Sequence, residues 1–509
     1  MRKINLFQYY PAVFSAILLI GAFPRFNQSY LAWFSLLPII IFSVKAPPLT
    51  AFKGGIVFGA VFHLYINYYL IVAMEQFLSL ILAIIVYLLI ALYLSLFYGL
   101  VFYLLSIISS KYSPFKVIFA FSFIWVLMEF VRSLGFLGYT AGFIGFSQWN
   151  GGFLLNIVSF YGYWGLAFVM AGIQILFAFI ILKKISAEHI KRVTIILSIF
   201  IISGLFMPEI FPVLYEDETK NIALIQGNIS REDILTGSEE NLKTYIKLTK
   251  KAATSDEYIH MAVWPETVVS ARIGRGNPVP PEIKTLSEEL QIPLLYGAIV
   301  IEGDDRYNSV VFLNPHTKET DLYYKKILVP VVEYLPAGEL LNDLLDLRVN
   351  LGHLTPGEAI SVFNFEDIPI SGAICFESFF GSYTRRFASK GAKHLFILTN
   401  DGWLRESIGL DQHAQIVCIR AAEAGIGVTQ LANTGISIAA DYRGREIMRS
   451  GIKRRETLYL KTDFTTRKTL YQLAGDYFIY LGLLIFLLSF IPLKSPLLKQ
   501  GGFRRLLNR

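Results

Sequence analysis

The chain has 509 residues, of which 54% are hydrophobic and only 17% charged, with a mean hydropathy of +0.51; a soluble globular chain usually carries roughly a quarter charged residues. Its net charge of +7 sits in short basic clusters between apolar runs rather than on one face, and no nucleic-acid-binding motif appears, so nucleic acid is excluded as the expected partner. Two cysteines, Cys375 and Cys418, are too few for a disulfide framework.

The start, Met1-Arg2-Lys3 before an apolar run, has the form of a secretory signal. Pro24-Arg25 stands where a cleavage site would need small residues, and more apolar runs follow, so this segment is read as an anchor. A helix crosses the hydrocarbon core with about 20 apolar residues. On that measure eight spans are predicted, near 6–23, 28–44, 54–73, 78–106, 116–134, 153–182, 193–212 and 471–492. The runs 78–106 and 153–182 are long enough to tilt or to protrude.

Lysine and arginine set the expected orientation. With the N-terminus inside, the internal segments hold Arg2, Lys3, Lys45, Lys53, Lys111, Lys116, Lys183, Lys184, Lys191 and Arg192, and the last segment adds Lys494, Lys499, Arg504, Arg505 and Arg509. The short external loops hold only Arg25 and Arg132. This is the positive-inside pattern, which puts both termini in the cytoplasm and the segment between spans seven and eight outside. The expected domains are a membrane domain at 1–215, an external domain at 216–468, an eighth span at 469–494 and a basic cytoplasmic tail at 495–509.

Charges inside spans are costly. Glu129 and Arg132 lie three residues apart on one helical face, which predicts a charge pair, with contact to a lipid headgroup as the other reading. His63 is expected to be a packed polar group. The Gly- and aromatic-rich loop 135–152 fits either a lateral lipid entrance or a tight connection.

Residues 220–468 have ordinary charge content and alternating patterns. Strands are predicted at 221–226, 261–264, 293–301, 307–313, 321–324, 369–374, 394–399, 427–431 and 436–441, and helices at 239–253, 281–290, 379–389 and 410–424. This mixture predicts an α/β layered domain with buried sheet. Three chemically competent residues fall at strand ends, where functional groups of such domains gather: Glu266, Lys325 and Cys375. A Cys at a strand-to-helix turn exposes its sulfur near a helix N-terminus, a carboxylate can take its proton, and an ammonium with the Phe376 N–H can bind an oxyanion. His260, His353, His394 and His413 leave a Cys–His arrangement open, and their spacing matches no metal-ligand pattern. Cys418, on the apolar face of helix 410–424, is expected to be structural.

Several separated segments resemble the nitrilase superfamily and, within it, the apolipoprotein N-acyltransferases. They are Gln226-Gly227-Asn228, Trp264-Pro265-Glu266, Tyr324-Lys325 with Leu328-Val329-Pro330 and Glu333-Tyr334-Leu335-Pro336, and Ile374-Cys375-Phe376-Glu377. Thr399-Asn400-Asp401-Gly402-Trp403, Gln412-His413, Arg420-Ala421-Ala422-Glu423 and Asn433-Thr434-Gly435 continue the series. The resemblance implies an αββα sandwich outside the bacterial inner membrane and a Glu266–Lys325–Cys375 triad. It also implies that Glu333 orients the lysine and Glu377 braces the site loop. Lys325 rather than Lys326 is selected because it lies three residues before Leu328-Val329-Pro330. Phe376 departs from a Tyr frequent in the family, and Ser230-Arg231-Glu232 is more polar than a lipid cleft suggests.

The resemblance further implies a reaction without metal or cofactor. The sn-1 acyl chain of a phospholipid, phosphatidylethanolamine being expected, passes through a Cys375 thioester to a diacylated prolipoprotein, and a monomer suffices. Leu335 to Leu354 reads either as an arm dipping into the interface or as a helix packed on the domain. The rival activities are a membrane-tethered amidase, which would release free acid, and an inactive scaffold or transporter, which would form no adduct.

Overall fold

The computed structural model describes residues 6–135, 137–215, 218–230, 233, 239–255, 257–273, 279–330, 332–334 and 354–490. Most of the arm at 335–354, the end of the eighth predicted span, the basic tail and His353 lie outside them. The N-terminal part is built from α1 (Tyr10–Gly21), α2 (Leu37–Lys45), α3 (Pro48–Ile66), α4 (Tyr69–Met74), α5 (Leu80–Lys111), α6 (Pro114–Arg132), α7 (Asn156–Tyr161), α8 (Tyr163–Ile181) and α9 (Ala187–Phe206).

Among the described residues, five helices are long and apolar enough to cross a membrane: α3, α5, α6, α8, and α9 with its following turn. Helices suit lipid because they satisfy their own backbone groups. With 32 residues, α5 is about 48 Å long at 1.5 Å per residue, well beyond a hydrocarbon core of roughly 30 Å. α1, α2 and the final helix are apolar but shorter.

Four predicted spans are interrupted, the last of them, 471–492, at Gly475 between the helices Leu470–Ala474 and Tyr477–Phe490. Run 28–44 begins as a 3-10 turn, Ser29–Trp33, and α2 starts afresh with Pro38 in its first turn. Run 54–73 is divided between α3 and α4. Run 153–182 breaks at Gly162, whose φ of +71° suits glycine and separates α7 from α8.

The expected Glu129–Arg132 pair is also replaced. Glu129 accepts from Ile144 N (2.9 Å) and Tyr163 OH (2.7 Å), while Arg132 donates to Tyr98 OH (2.9 Å) and Ala141 O (3.2 Å). The loop after α6 folds over both side chains and buries them, and its backbone supplies the partners that a buried charge requires. Neither is open to a headgroup. His63 is buried against Asn67 (3.1 Å).

Among the described residues the following domain contains two large sheets, besides a two-residue ladder of Val213–Leu214 with Thr466–Arg467. One runs in the order Glu456–Thr462, Lys220–Gln226, Met261–Val263, Leu294–Glu302, Asp305–Leu313, Thr320–Tyr324, with Val269–Ile273 also paired to Leu294–Glu302. The other runs Glu446–Arg449, Ile438–Ala440, Gly427–Ala432, His394–Thr399, Ile368–Ile374, Phe363–Phe365. The strands that begin at Val269, Phe363, Glu446 and Glu456 were not expected; three of them lie at or next to sheet edges. Period-two patterning stacks the layers. Ile222 and Leu224 join Ile370 and Phe396 in a core between the sheets, whereas Ala223 and Ile225 face Tyr245, Ile283 and Leu286 of α10 (Glu239–Ala253) and α11 (Pro281–Leu290). Helices α12 (Gly381–Ser389) and α13 (Ile408–Ala424) cover the other face, completing an αββα sandwich. The chain then returns through α14 (Leu470–Ala474) and α15 (Tyr477–Phe490).

The sandwich is fastened to one end of the helical part. Gln412 Nε2 donates to Ile66 O (2.9 Å), Gln76 Nε2 to Trp403 O (2.6 Å) and Gln415 Nε2 to Asn27 Oδ1 (3.1 Å). Buried Arg467 reaches Glu209 (2.8 Å) and Asn156 (3.0 Å). These partners belong to, or lie beside, the loops predicted to share one side of the membrane.

Candidate active site

Each predicted residue is delivered by a strand end. The ladder of Met261–Val263 continues one residue further through Trp264 N to Leu295 O (2.8 Å), and Gly297 N reaches Pro265 O (3.1 Å). Glu266 is therefore held just past the sheet edge, where Oε1 accepts from Asn308 Nδ2 and Oε2 from Asn400 N, both at 2.8 Å. Lys325 follows Thr320–Tyr324, and its N donates to Asn308 O (2.8 Å). Its Nζ lies 2.8 Å from Glu333 Oε1 and 3.7 Å from Glu266 Oε1. Glu333 is fixed in turn by Val329 N on Oε2 (2.8 Å) and Asn308 Nδ2 on Oε1 (3.2 Å).

Cys375 ends Ile368–Ile374 and opens the 3-10 turn Cys375–Phe379 with φ at +47°, a conformation uncommon for a residue with a Cβ and frequent at reactive turns. All four residues are buried. They line one cavity of about 100 Å³ together with Asn308 and Asn400, its remaining walls being apolar side chains such as Phe77, Val332 and Leu354.

The electrostatics follow from this enclosure. Burial raises the Cys375 thiol well above its ordinary value and the Glu266 carboxylate adds to that, with Lys325 opposing. Glu266 is itself raised, first by burial, against the pull of Lys325. Burial alone would lower Lys325, yet Glu333, Glu266 and Cys375 outweigh it and the ammonium ends above its usual range. The enclosure thus brings together a thiol, a carboxyl group and a fixed cation that act on one another electrostatically.

Glu377 is fully buried. Its Oε1 accepts from Tyr323 OH (2.6 Å) and Lys326 N (2.8 Å), and its Oε2 from Ile374 N (2.8 Å). One carboxylate thereby ties the chain beside Lys325 to the strand end before Cys375. Phe376 packs on Phe379 and Phe380 and lines the cavities next to the sulfur.

Sequence reasoning assigned no role to Asn308 or Asn400, nor to the group behind the sulfur. His413 Nδ1 sits 2.9 Å from Asp401 Oδ1, which also accepts from Thr399 Oγ1 (2.9 Å). His413 Nε2 lies 3.1 Å from Ser378 Oγ and 3.3 Å from Cys375 O. Burial lowers this imidazole, but Asp401, the Cys375 carbonyl and Glu266 together outweigh it, for a net rise. Both residues lie in motifs already quoted, so a signal existed, although spacing could not reveal the contact. Cys375, Asp401 and His413 place ligand-type atoms within 4.8 Å of one another, but each already has protein hydrogen-bond partners. The other described histidines stand apart. His394 is held to Thr429 (2.8 Å) with its pKa driven down to about 3 by burial, and His260 accepts from Asn221 N (3.1 Å).

A second cavity, of about 250 Å³, reaches Cys375 from the helical part. Its walls are almost wholly apolar, with Tyr69 and Met74 of α4, Leu94 of α5 and Phe77 between them, opposite Phe379 and Trp403. Leu137 to Ala141, from the loop after α6, complete one side.

Residues 15–176 match the family described as "Apolipoprotein N-acyltransferase N-terminal domain", and residues 221–471 match "Carbon-nitrogen hydrolase". The two-sheet unit is thus a nitrilase-type carbon–nitrogen hydrolase domain carried on apolar helices. "Apolipoprotein N-acyltransferase 1" of Treponema denticola is 26% identical, covering 94% of each chain. "Apolipoprotein N-acyltransferase" of Geobacter metallireducens is 26% identical over 86% of this chain and 85% of its own. Nit3 of Saccharomyces cerevisiae, a solved member of the nitrilase superfamily, aligns at 17% identity and a TM-score of 0.39, over 55% of this chain and 97% of its own. The chain belongs to the apolipoprotein N-acyltransferase family.

Cys418 lies buried in α13, its thiol pushed up to about 12 chiefly by burial. Cys418→Ala is expected to keep acyl transfer within about threefold of wild type, because an inert buried thiol acts as a small apolar group. Initial rates on purified protein test this, and a loss as deep as that of Cys375→Ala would refute it.

Proposed function

We propose that the protein moves the sn-1 acyl chain of a phospholipid, phosphatidylethanolamine being the expected donor, through a Cys375 thioester to the α-amino group of an S-diacylglyceryl-cysteine lipoprotein. The apolar cavity running from α4 and α5 to Cys375 carries this reading. It gives a hydrocarbon chain a dry path that ends at the sulfur, whereas a small amide has no use for it. The smaller cavity that shares Cys375 with it holds the groups that handle protons and charge.

In the first half-reaction Glu266 takes the Cys375 proton as the sulfur attacks the ester carbonyl. Lys325 and the Phe376 N–H stabilise the tetrahedral oxyanion. Collapse breaks the carbon–oxygen bond, Glu266 returns its proton to the departing alkoxide, and a lysophospholipid leaves. In the second, the lipoprotein amine attacks the thioester, Glu266 accepts the amine proton, and the carbon–sulfur bond breaks as that proton returns to sulfur. Glu333 keeps Lys325 charged and aimed, and Glu377 braces the turn that carries the sulfur. This is ping-pong chemistry.

The wider reading has eight spans, seven before the external domain and one after, with the boundaries given from sequence. The enzyme works as a monomer in the bacterial inner membrane, with its sandwich on the periplasmic face and both termini cytoplasmic. Mass spectrometry after incubation with phospholipid is expected to show one added acyl group on Cys375, absent in Cys375→Ser and discharged by a diacylated peptide amine. An unmodified wild-type protein would sink the covalent route.

A further inference from the structure

His413 stands near the start of α13, and Asp401 opens the 3-10 turn Asp401–Leu404 after the strand His394–Thr399. Both are buried, and neither takes a step in the reaction above. Asp401 is fixed from two sides. Its Oδ1 accepts from Thr399 Oγ1 (2.9 Å), and Gly435 packs so closely that an added Cβ would come within 2.7 Å of Asp401 Cβ. The His413 ring lies along Phe379, with centroids 5.2 Å apart and planes 15° from parallel. Packing and hydrogen bonding together hold the imidazole in one orientation.

Both ring nitrogens face oxygens. Nδ1 is 2.9 and 3.2 Å from the two Asp401 carboxylate oxygens, and Nε2 is 3.3 Å from Cys375 O and 3.1 Å from Ser378 Oγ. An ionised carboxylate and a carbonyl only accept, so both nitrogens carry hydrogen and the ring is an imidazolium; the Ser378 hydroxyl, which serves either way, then accepts as well. Burial opposes that charge, but Asp401, the Cys375 carbonyl and Glu266 outweigh it. Such a ring has no lone pair with which to take the thiol proton, and that task stays with Glu266.

What His413 does hold is the peptide unit between Cys375 and Phe376. That unit is planar, with its carbonyl and its N–H at opposite edges. Cys375 has a φ of +47°, a conformation that persists only where the surroundings fix it. A donor on the carbonyl sets the direction of the N–H at the far edge, and a cationic donor also polarises the amide and strengthens that N–H. A 3.3 Å contact has room to tighten as charge develops, as catalytic hydrogen bonds commonly do.

We infer that His413, charged and aimed by Asp401, is a positioning residue that orients and polarises the Phe376 N–H toward the oxyanion through the Cys375 carbonyl. The inference rests on the proposed acyl transfer and deepens it.

Two reactions of Cys375 separate this role from a general loss of structure. Acylation by phospholipid passes through a tetrahedral oxyanion, whereas alkylation by iodoacetamide displaces iodide from a saturated carbon and forms none. Both consume the thiolate, so a change in thiol acidity cancels in the ratio of their rates. His413 also borders the apolar cavity, so acylation is measured at saturating dioleoyl phosphatidylethanolamine, where weaker lipid binding drops out. Mass spectrometry of the Cys375 peptide from full-length protein in detergent reads both rates.

His413→Phe is expected to lower the acylation-to-alkylation ratio by about 10- to 100-fold, short of the roughly 10² to 10³-fold cost of removing an oxyanion donor outright. His413→Gln, whose amide N–H still has a donor to offer that carbonyl, should recover part of the loss. Where His413→Phe does not fold, Asp401→Asn carries the test: it keeps a partner on Nδ1 without the negative charge, and the ratio should fall by about threefold to tenfold. An unchanged ratio in a folded variant, with both rates falling together, assigns His413 to folding alone and overturns the inference. Wild-type protein that is alkylated but forms no thioester rejects acyl transfer itself, and a wild-type thioester with unchanged ratios in the variants rejects only the role of His413.

Discussion

Glu266→Gln is expected to form the Cys375 thioester about 10² to 10⁴-fold more slowly than wild type, the usual contribution of a positioned general base. The amide keeps the shape and the Asn400 N contact (2.8 Å) but cannot accept a proton. The thiol it serves is raised well above its ordinary value, so little thiolate forms unaided. Stopped-time mass spectrometry of the adduct measures the rate. The wild-type pH profile follows from the same residue. The raised Glu266 carboxyl is protonated as pH falls through a range above that of an exposed carboxylate. Thioester formation should therefore decline in acid earlier than an unperturbed Glu would dictate, and Glu266→Gln should lack that limb. A variant that retained wild-type rate would remove Glu266 from the mechanism.

Lys325→Met has the second large effect, on both rate and stability. Nζ is 2.8 Å from Glu333 and 3.7 Å from Glu266 in a buried site. Without the cation, two buried carboxylates face each other uncompensated. Breaking a buried pair in this way typically costs about 3–5 kcal/mol, visible as a lowered thermal midpoint in detergent. Loss of an oxyanion donor should slow acylation by a further 10² to 10³-fold, roughly. Lys326→Ala is the control: that Nζ only reaches Glu358 O (2.9 Å) at the surface, and the rate should stay within about threefold, as for most surface changes. Equal losses at the two lysines would refute the assignment to Lys325.

Much of this architecture was legible from one dimension. A run of apolar residues has few options in lipid, so α3, α5, α6, α8 and α9 follow from hydropathy. Short apolar runs likewise marked the strands that lead to Glu266 and Cys375, because a strand buried on both faces carries few polar side chains. Edge strands such as Phe363–Phe365 were missed since three residues carry too little period to read. The broken runs at Ser29–Trp33 and Gly162 were missed because hydropathy is blind to backbone dihedrals.

The strand ends that carry Glu266, Lys325 and Cys375 could be read from the chain alone. Tertiary structure alone decided what surrounds them. His413 and Asp401 behind the sulfur, Asn308 between two carboxylates, and Glu129 and Arg132 bonded to a folded-over loop instead of to each other are such cases. The physical reason is that periodicity is a local property of the chain. Hydrogen-bond partnership and burial depend on contacts between residues up to hundreds of positions apart, which only the packed layers bring together.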